Sequence, residues 1–441
     1  MHPCPPDAPR RRLAPLLRRC LGATALVLVG LRCTWLEQLR SDAPQEPEPF
    51  VIVDGPLPEL CEIDITCPID IPDDKIRCEL ALRDASGAVA YEGFAGVEQR
   101  GRSTRLAPKK NYSVELRKKD GADRPTALLG LGAEADWILD GSWVDRSLVR
   151  NQLAGDLFRD IDHWAPRGRF CRLTLDGEPR GVYRLVERIK RDRARLAIKK
   201  KDSFLLKQDD RGWVNWEVSP LQTTYRLIHP KERRASMDRI SDVQRFIDDI
   251  DTALKSPQPG GIFELIDRDA AADFVLLQEL TKNIDAYQLS IHIYKDADEK
   301  AKFVPWDFDL SMGVPSMAIG EGPPVESPTG WIPRRTRLVQ GLAQHEEFRT
   351  LLAQRWNDHR QGPWANDAID EKLADYLRVL EPGLEENFEL WPIDKVNVAR
   401  IYRKFSSYTP TSHDDEMQRL RAWLDDRTAW IDANIDAYPE N

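Results

Sequence analysis

Residues 279–310 read ELTKNIDAYQLSIHIYKDADEKAKFVPWDFDL, and this stretch decides what the rest of the chain must build. It opens on the end of a helix, because Asp269–Asn283 carries an apolar face at helical spacing. The helix ends near Asn283, and Asp285 enters a loop. Two β-rich runs follow, Ser290–Lys295 and Lys302–Trp306, which read as a short hairpin inserted among helices. The second run leads into Pro305-Trp306-Asp307-Phe308-Asp309. In a strand, residues i and i+2 point to the same side, so Asp307 and Asp309 are expected to present two carboxylates in one direction. Two such anions repel unless a cation lies between them. Mg²⁺ binds through one or two carboxylates plus substrate phosphates, so the pair suits a metal–nucleotide site. The bland alternative is a solvated loop.

Outward from this stretch the chain changes character. On the N-terminal side, Arg77–Arg83, Asn111–Leu116, Phe170–Leu175 and Gly181–Leu185 alternate or are rich in β-formers, and Asp176-Gly177 is a hairpin turn signal. One helix, Ser147–Arg159, interrupts them. On the C-terminal side, Asp238–Leu254 is amphipathic, and a tail with Trp356, Trp364, Leu373, Tyr376, Leu380 and Trp391 ends in a helix from Asp415 to about Tyr438. Aromatics at helical spacing read as core; a carbohydrate platform is the sharper but weaker reading. The layout is α+β, with a strand-rich region at 51–215, a helical region at 216–441, and the decisive segment at 279–313.

Charge and cysteines limit the partners. Of 441 residues 31% are charged and the formal net charge is −9, yet the first forty residues hold seven Arg against Asp7 and Glu37. The remainder therefore sits near −14, a poor match for the phosphate backbone of nucleic acid. Arginines 10–12, 18 and 19 precede the apolar run Leu21–Leu31, too short to span a bilayer, which takes roughly 20 residues. Residues 1–35 read as a signal peptide or short signal anchor and 36–50 as a Pro- and acid-rich linker. Export to the periplasm, cell surface or medium is expected, with the membrane reached only through that anchor. Beyond the leader lie Cys61, Cys67, Cys78 and Cys171. Without paired C-x-x-C spacing they read as one or two disulfides rather than a zinc site.

A third feature is basic: Arg100, Arg102, Arg105, Lys109 and Lys110 surround a glycine turn that leads into a strand, a layout able to clamp phosphates. A loop aspartate, a hairpin and then Asp-Phe is also the order used in protein-kinase catalytic segments. G-x-G-x-x-G, G-x-x-x-x-G-K, G-x-S-x-G and H-E-x-x-H are all missing.

Taken in order, these segments resemble the CotH kinase family of atypical, spore-coat-protein-H-like kinases. The matching stretches are Val97–Thr104 with Pro108–Tyr112, Asp136–Leu139 with Asp145–Asn151, and Ala165–Arg167 with Phe170–Gly177. They continue through Gly181–Ile189, His229–Lys231, Glu279–Asp285 and Pro305–Leu310. The resemblance implies a two-lobed atypical protein-kinase-like fold that binds ATP with Mg²⁺ or Mn²⁺ and transfers its γ-phosphoryl group to Ser or Thr hydroxyls of a protein substrate. By position, Asp285 takes the catalytic-loop role, Asp307 the metal role, and Asp309 that of a further metal-side carboxylate. Lys110, with Arg100, is expected on the nucleotide phosphates. Glu187 is expected either to orient Lys110 or to pair with Arg188 or Lys190. Five residues beyond the catalytic Asp many kinases place a metal-binding Asn; here that position is Ser290, with Gln288 as a substitute. The rival reading is a catalytically inert protein of the cell envelope that keeps the fold.

Overall fold

Strand alternation is what closes the first half of the protein. In the computed structural model, which describes residues 57–101, 104–208, 214–219, 222–255, 261–283, 285–287, 290–314, 326–332, 337–395 and 410–439, the inward residues of seven strands meet in one apolar interior. The leader and linker expected at 1–50, and Gln288, lie outside the described residues. The first seven strands in chain order are β1 (Cys61–Thr66), β2 (Ile76–Arg83), β3 (Val89–Arg100), β4 (Asn111–Arg117), β5 (Thr126–Leu128), β6 (Leu131–Glu134) and β7 (Asp136–Asp140). Helix α1 (Arg150–Arg159) follows, then β8 (Gly168–Leu175) and β9 (Glu178–Glu187). Strands β1-β2-β3-β4-β7-β9-β8 form a closed barrel, and β5 and β6 form a two-stranded sheet.

Every contact around the barrel is antiparallel except β1 with β8, where Cys61 lies opposite Cys171. A disulfide joins that pair, and a second joins Cys67 to Cys78. Ile63, Leu80, Val97, Val114, Trp137, Leu173 and Leu185 alternate inward and fill the interior. The β8–β9 turn falls on Asp176 and Gly177, both with positive φ (55° and 81°), as the Asp-Gly signal requires.

The second half is built on a sheet of order β11-β12-β10-β13-β14. Its strands are β10 (Phe204–Gln208), β11 (Val214–Ser219), β12 (Gln222–His229), β13 (His292–Lys295) and β14 (Ala301–Val304). It unites strands from both sides of the boundary expected at 215. Between β12 and β13 run α2 (Met237–Lys255) and α3 (Arg268–Thr281); after β14 come α4 (Arg337–Ala343), α5 (Glu346–Arg360), α6 (Asn366–Leu390) and α7 (His413–Asn434). One sheet face, with Phe204, Leu206, Ile293 and Phe303, joins the helical core, where Phe303 stacks on Phe274 of α3 at 5.0 Å.

Most of the tail aromatics are core, while Trp391, just past the end of α6, is half-buried. Trp356, Trp364 and Tyr376 are buried, and the Trp364 indole donates to the Leu157 carbonyl of α1 at 2.9 Å. Barrel and helices are tied by Lys109, whose ammonium donates to the Val182 carbonyl (2.6 Å) and to Asn387 Oδ1 of α6 (2.8 Å). Among the described residues no helix is long and apolar enough to cross a membrane.

Candidate active site

The site is assembled where α3 ends. Asp267 caps the helix start by accepting from the Ala270 amide at 2.9 Å, and Lys282 ends it in the left-handed region (φ 47°). The buried Lys282 ammonium donates to the carbonyls of Ser327 and Thr329, so this turn is fixed from below. Asn283 then spans two segments: its Oδ1 accepts from the Asp285 amide (3.1 Å) and its Nδ2 donates to the Asp307 carbonyl (3.2 Å).

Asp307 is not in a strand. β14 stops at Val304, and Asp307 has φ 72°, a left-handed conformation that strains a residue with a side chain. The expectation that strand alternation aims Asp307 and Asp309 together is thereby corrected: a turn does it. Side chains from afar hold that turn. Ser290 Oγ donates to Asp307 Oδ2 (2.9 Å), and the Phe308 amide donates to Asn151 Oδ1 of α1 (2.7 Å). The Met312 amide donates to the Thr281 carbonyl (2.7 Å), and buried Arg150 donates to the carbonyls of Ser311 and Met312. Arg150 is itself paired with Asp145 and Glu416, both buried, so its charge does not stand alone.

Four carboxyl groups converge here: Asp140 at the end of β7, Asp285, Asp307 and Asp309. Burial, then the charge of Asp307, pushes Asp285 up to about 7. Burial raises Asp307 as well, against the hydrogen bonds from Ser290 and Asp309 and with a further push from Asp140. Asp309 is raised well above the carboxylate range by burial and by Asp307, Asp140 and Asp285. Cations that face the cluster include Arg184, whose guanidinium lies 3.5 Å from Asp140 Oδ2, and Arg100 at the end of β3. Burial brings Arg100 down to about 10 while Asp140 and Asp307 favour its charge, and its guanidinium lies 5.7 Å from the Trp306 ring. Among the described residues no three His, Cys, Asp or Glu side chains form a ready-made ion cage. The donors present are hard oxygens in mutual repulsion, which suits a hard divalent cation completed by phosphate oxygens.

Residues 97–431 match the family described as CotH kinase protein. The chain belongs to the CotH kinase protein family. A curated relative, inner spore coat protein H of Bacillus subtilis (strain 168), is 24% identical over 181 residues, 40% of this chain. The match spans about half of that relative's length (49%). The CotH portion contains the whole acid cluster and Arg100, while β1, β2 and the cysteines Cys61, Cys67 and Cys78 precede it.

Within this CotH frame the structure brings together Asp285, Ser290, Asp307, Asp309 and Arg100. It does not add the other two expected residues to the cluster. The Lys110 ammonium, half-buried, donates to the Arg105 carbonyl at 2.6 Å. Glu187 is buried and engaged by Arg195 (3.0 Å) and by the Arg167 amide (2.9 Å). Arg188 and Lys190 pair instead with Asp136, so Glu187 orients none of the three cations expected for it. Sequence reasoning missed Asp140, Asn151 and Asn283. An acidic residue closing the apolar strand Asp136–Asp140 was the one signal for the first.

Proposed function

We propose that this protein is an exported CotH-type kinase that transfers the γ-phosphoryl group of ATP to Ser or Thr hydroxyls of protein, in a two-lobed kinase-like fold with the barrel as one lobe. The observation that carries the reading is the position of Asp285, held by Asn283 beside the Asp307–Ser290–Asp309 turn with its carboxyl pushed up to about 7. A general base is most effective when its pKa lies near the working pH. Asp285 would orient the attacking hydroxyl and take its proton, and its rise toward neutrality keeps that proton affinity high. Asp307 and Asp309 would hold Mg²⁺ or Mn²⁺, with Ser290 fixing the Asp307 carboxylate. The bound ion would neutralise the charge that develops on the transferring phosphoryl group. Arg100 would add positive charge on the barrel side of the same cluster. Export follows from the basic–apolar leader, and the spore-coat name of the relative points to a surface-associated setting.

The deciding experiment is transfer of labelled phosphate from ATP with Mg²⁺ or Mn²⁺, to the protein itself or to a generic Ser/Thr-rich acceptor. Transfer that disappears in Asp285→Ala and Asp307→Ala is expected. No transfer from wild type across several acceptors would assign the chain to an inert binding role.

A further inference from the structure

Charge is spread unevenly along this chain. The net charge is −9, yet residues 188–201, RIKRDRARLAIKKK, hold eight Lys and Arg against the carboxylate of Asp192. The segment leaves the end of β9 and crosses the sheet face that turns away from the helical core. Ile189, Leu196 and Ile198 are buried there with Leu205 of β10 and Val304 of β14, and Ile228 of β12, Tyr294 of β13 and Trp306 pack against the same cluster. Internal hydrogen bonds fix its course. The Leu196 amide donates to the Lys190 carbonyl (3.3 Å), the Asp192 amide to the Leu196 carbonyl (3.2 Å), and Arg191 Nε to the Ile198 carbonyl (3.0 Å). Some of its cations are engaged: Arg195 by Glu187 (3.0 Å), Arg188 and Lys190 by Asp136. At its end, Lys199, Lys200 and Lys201 are exposed.

A second basic turn adjoins these lysines. His229 Nε2, at the end of β12, donates to the Lys200 carbonyl at 3.1 Å, and the chain continues from it into Lys231-Glu232-Arg233-Arg234. Lys231, Arg233 and Arg234 are exposed. Among the described residues these three cations, Lys199 and Lys200 form no ion pair, and Lys201 reaches only Asp202, at 3.9 Å. The bordering carboxylates serve the backbone: Asp296 accepts from the Lys199 amide (2.8 Å) and Glu232 from the Leu227 amide (3.5 Å). Such a group of like charges raises the local concentration of anions and selects an acidic partner. The other end of the segment reaches the acid cluster. Arg188 and Arg100 repel one another, and Trp306, in the segment's apolar cluster, immediately precedes Asp307. From Val304 to Ile228 the segment crosses β14, β13, β10 and β12, about 14 Å at roughly 4.8 Å per step. An extended polypeptide spans that distance with about four residues.

We propose that Lys199, Lys200 and Lys201, with Lys231, Arg233 and Arg234, form a docking surface for an acidic polypeptide segment, the one that flanks the acceptor Ser or Thr. The acceptor's part rests on the kinase reading; the surface does not. A polypeptide fits better than a nucleic acid, which the acidic remainder of the chain repels, and better than a membrane, because the segment starts beside the acid cluster and leads away from it. The test uses the full chain and two fluorescent peptides, each with a central Ser flanked on both sides by runs of Glu or of Gln. Binding is read by anisotropy, and phosphate transfer is followed with Mg-ATP. Affinity for the Glu peptide at least tenfold above that for the Gln peptide, and lost at high salt, is expected. That preference should vanish in the double variants Lys199→Glu with Lys200→Glu and Arg233→Glu with Arg234→Glu, at unchanged melting temperature; Gln replaces Glu where reversal disturbs the fold. It should persist in Lys118→Glu with Lys119→Glu, exposed residues beyond the end of β4 opposite to Asn111, the partner of Arg100. In transfer, the preference should lie in KM and not in kcat. Equal binding of the two peptides would overturn the inference and leave the kinase reading standing, as would equal losses in all three double variants. Capture by phosphatidylglycerol vesicles without a peptide preference would overturn it in favour of a membrane surface. Charge-dependent binding with no transfer to either peptide would uphold the surface and overturn the kinase reading.

Discussion

Helix α3 carries a fully buried acidic centre in its middle and leads to a half-buried one at its end, and loss of hydration has opposite outcomes in the two. Asp273, in the middle, is fully buried. It accepts hydrogen bonds from His163 Nε2 (2.6 Å), His359 Nε2 (2.7 Å) and the Arg355 guanidinium. Those partners outweigh desolvation and hold its carboxyl well below the usual carboxylate range. Beyond the helix end, Asp285, Asp307 and Asp309 are half-buried and face one another, and all three are raised. A buried charge with partners is explained by the fold. A set of half-buried carboxyls pressed together is not, since apolar residues there would fold as well or better. Under the proposed function, this contrast is what singles out the second centre as the ligand site.

The largest way to break the comparison is at Asp285. Asp285→Asn should lower phosphoryl transfer by ~10²–10⁴ while ATP affinity stays within a few-fold, read from initial rates beside a binding titration. At Asp273 the defect should be of another kind. Asp273→Ala leaves Arg355 and two histidines without their common partner and should cost about 3–5 kcal/mol in denaturant unfolding, with the ATP affinity of the folded fraction unchanged. Smaller, but sharper, is the pH dependence of the metal-free protein. A carboxyl whose folded pKa is raised favours the folded state below the unfolded value and loses that contribution as pH climbs toward the folded value. For Asp285 the window runs from about 4 to about 7. In EDTA, Asp285→Asn should therefore gain on wild type across that window, by on the order of 4 kcal/mol at its upper end. For Asp273 the sign reverses: its contribution is present above the unfolded value near 4 and is lost as pH falls below it. A melting series from pH 3 to 8 reads both, and a gap between wild type and Asp285→Asn that does not widen would remove Asp285 from the strained set.

Much of this was legible in the residues. The helix running to Asn283, the loop aspartate, the hairpin and the Asp307/Asp309 pair all stand in the order read, because each has a local cause: periodicity, turn chemistry or β-branched runs. Trp356 and Trp364 in the tail are core, as helical spacing implies, and Trp391 is half-buried. What was hidden is long-range. Asp140 and Asn151 reach the site only because the barrel closes and α1 packs beside it, and no local pattern encodes either event. The sheet joins 204–229 to 292–304, so the pairing of Lys207 with His292 could not be read from neighbours in sequence. Of two adjacent lysines, Lys109 is buried against Asn387 and pushed down to about 7 by desolvation, while Lys110 stays half-exposed; only packing separates them. The turn at Asp307 was misread because its φ of 72° depends on Asn283, Asn151 and Ser290, none of them adjacent.

The most direct measurement of the central claim is the melting temperature of wild type, Asp307→Asn and Asp273→Asn with and without Mg-ATP at pH 7. If the strained acid cluster is the metal–nucleotide site and Asp273 is a structural anchor, Mg-ATP should raise the melting temperature of wild type and Asp273→Asn by similar amounts, from different starting points, and leave Asp307→Asn unmoved. Equal stabilisation of Asp307→Asn and wild type would contradict it.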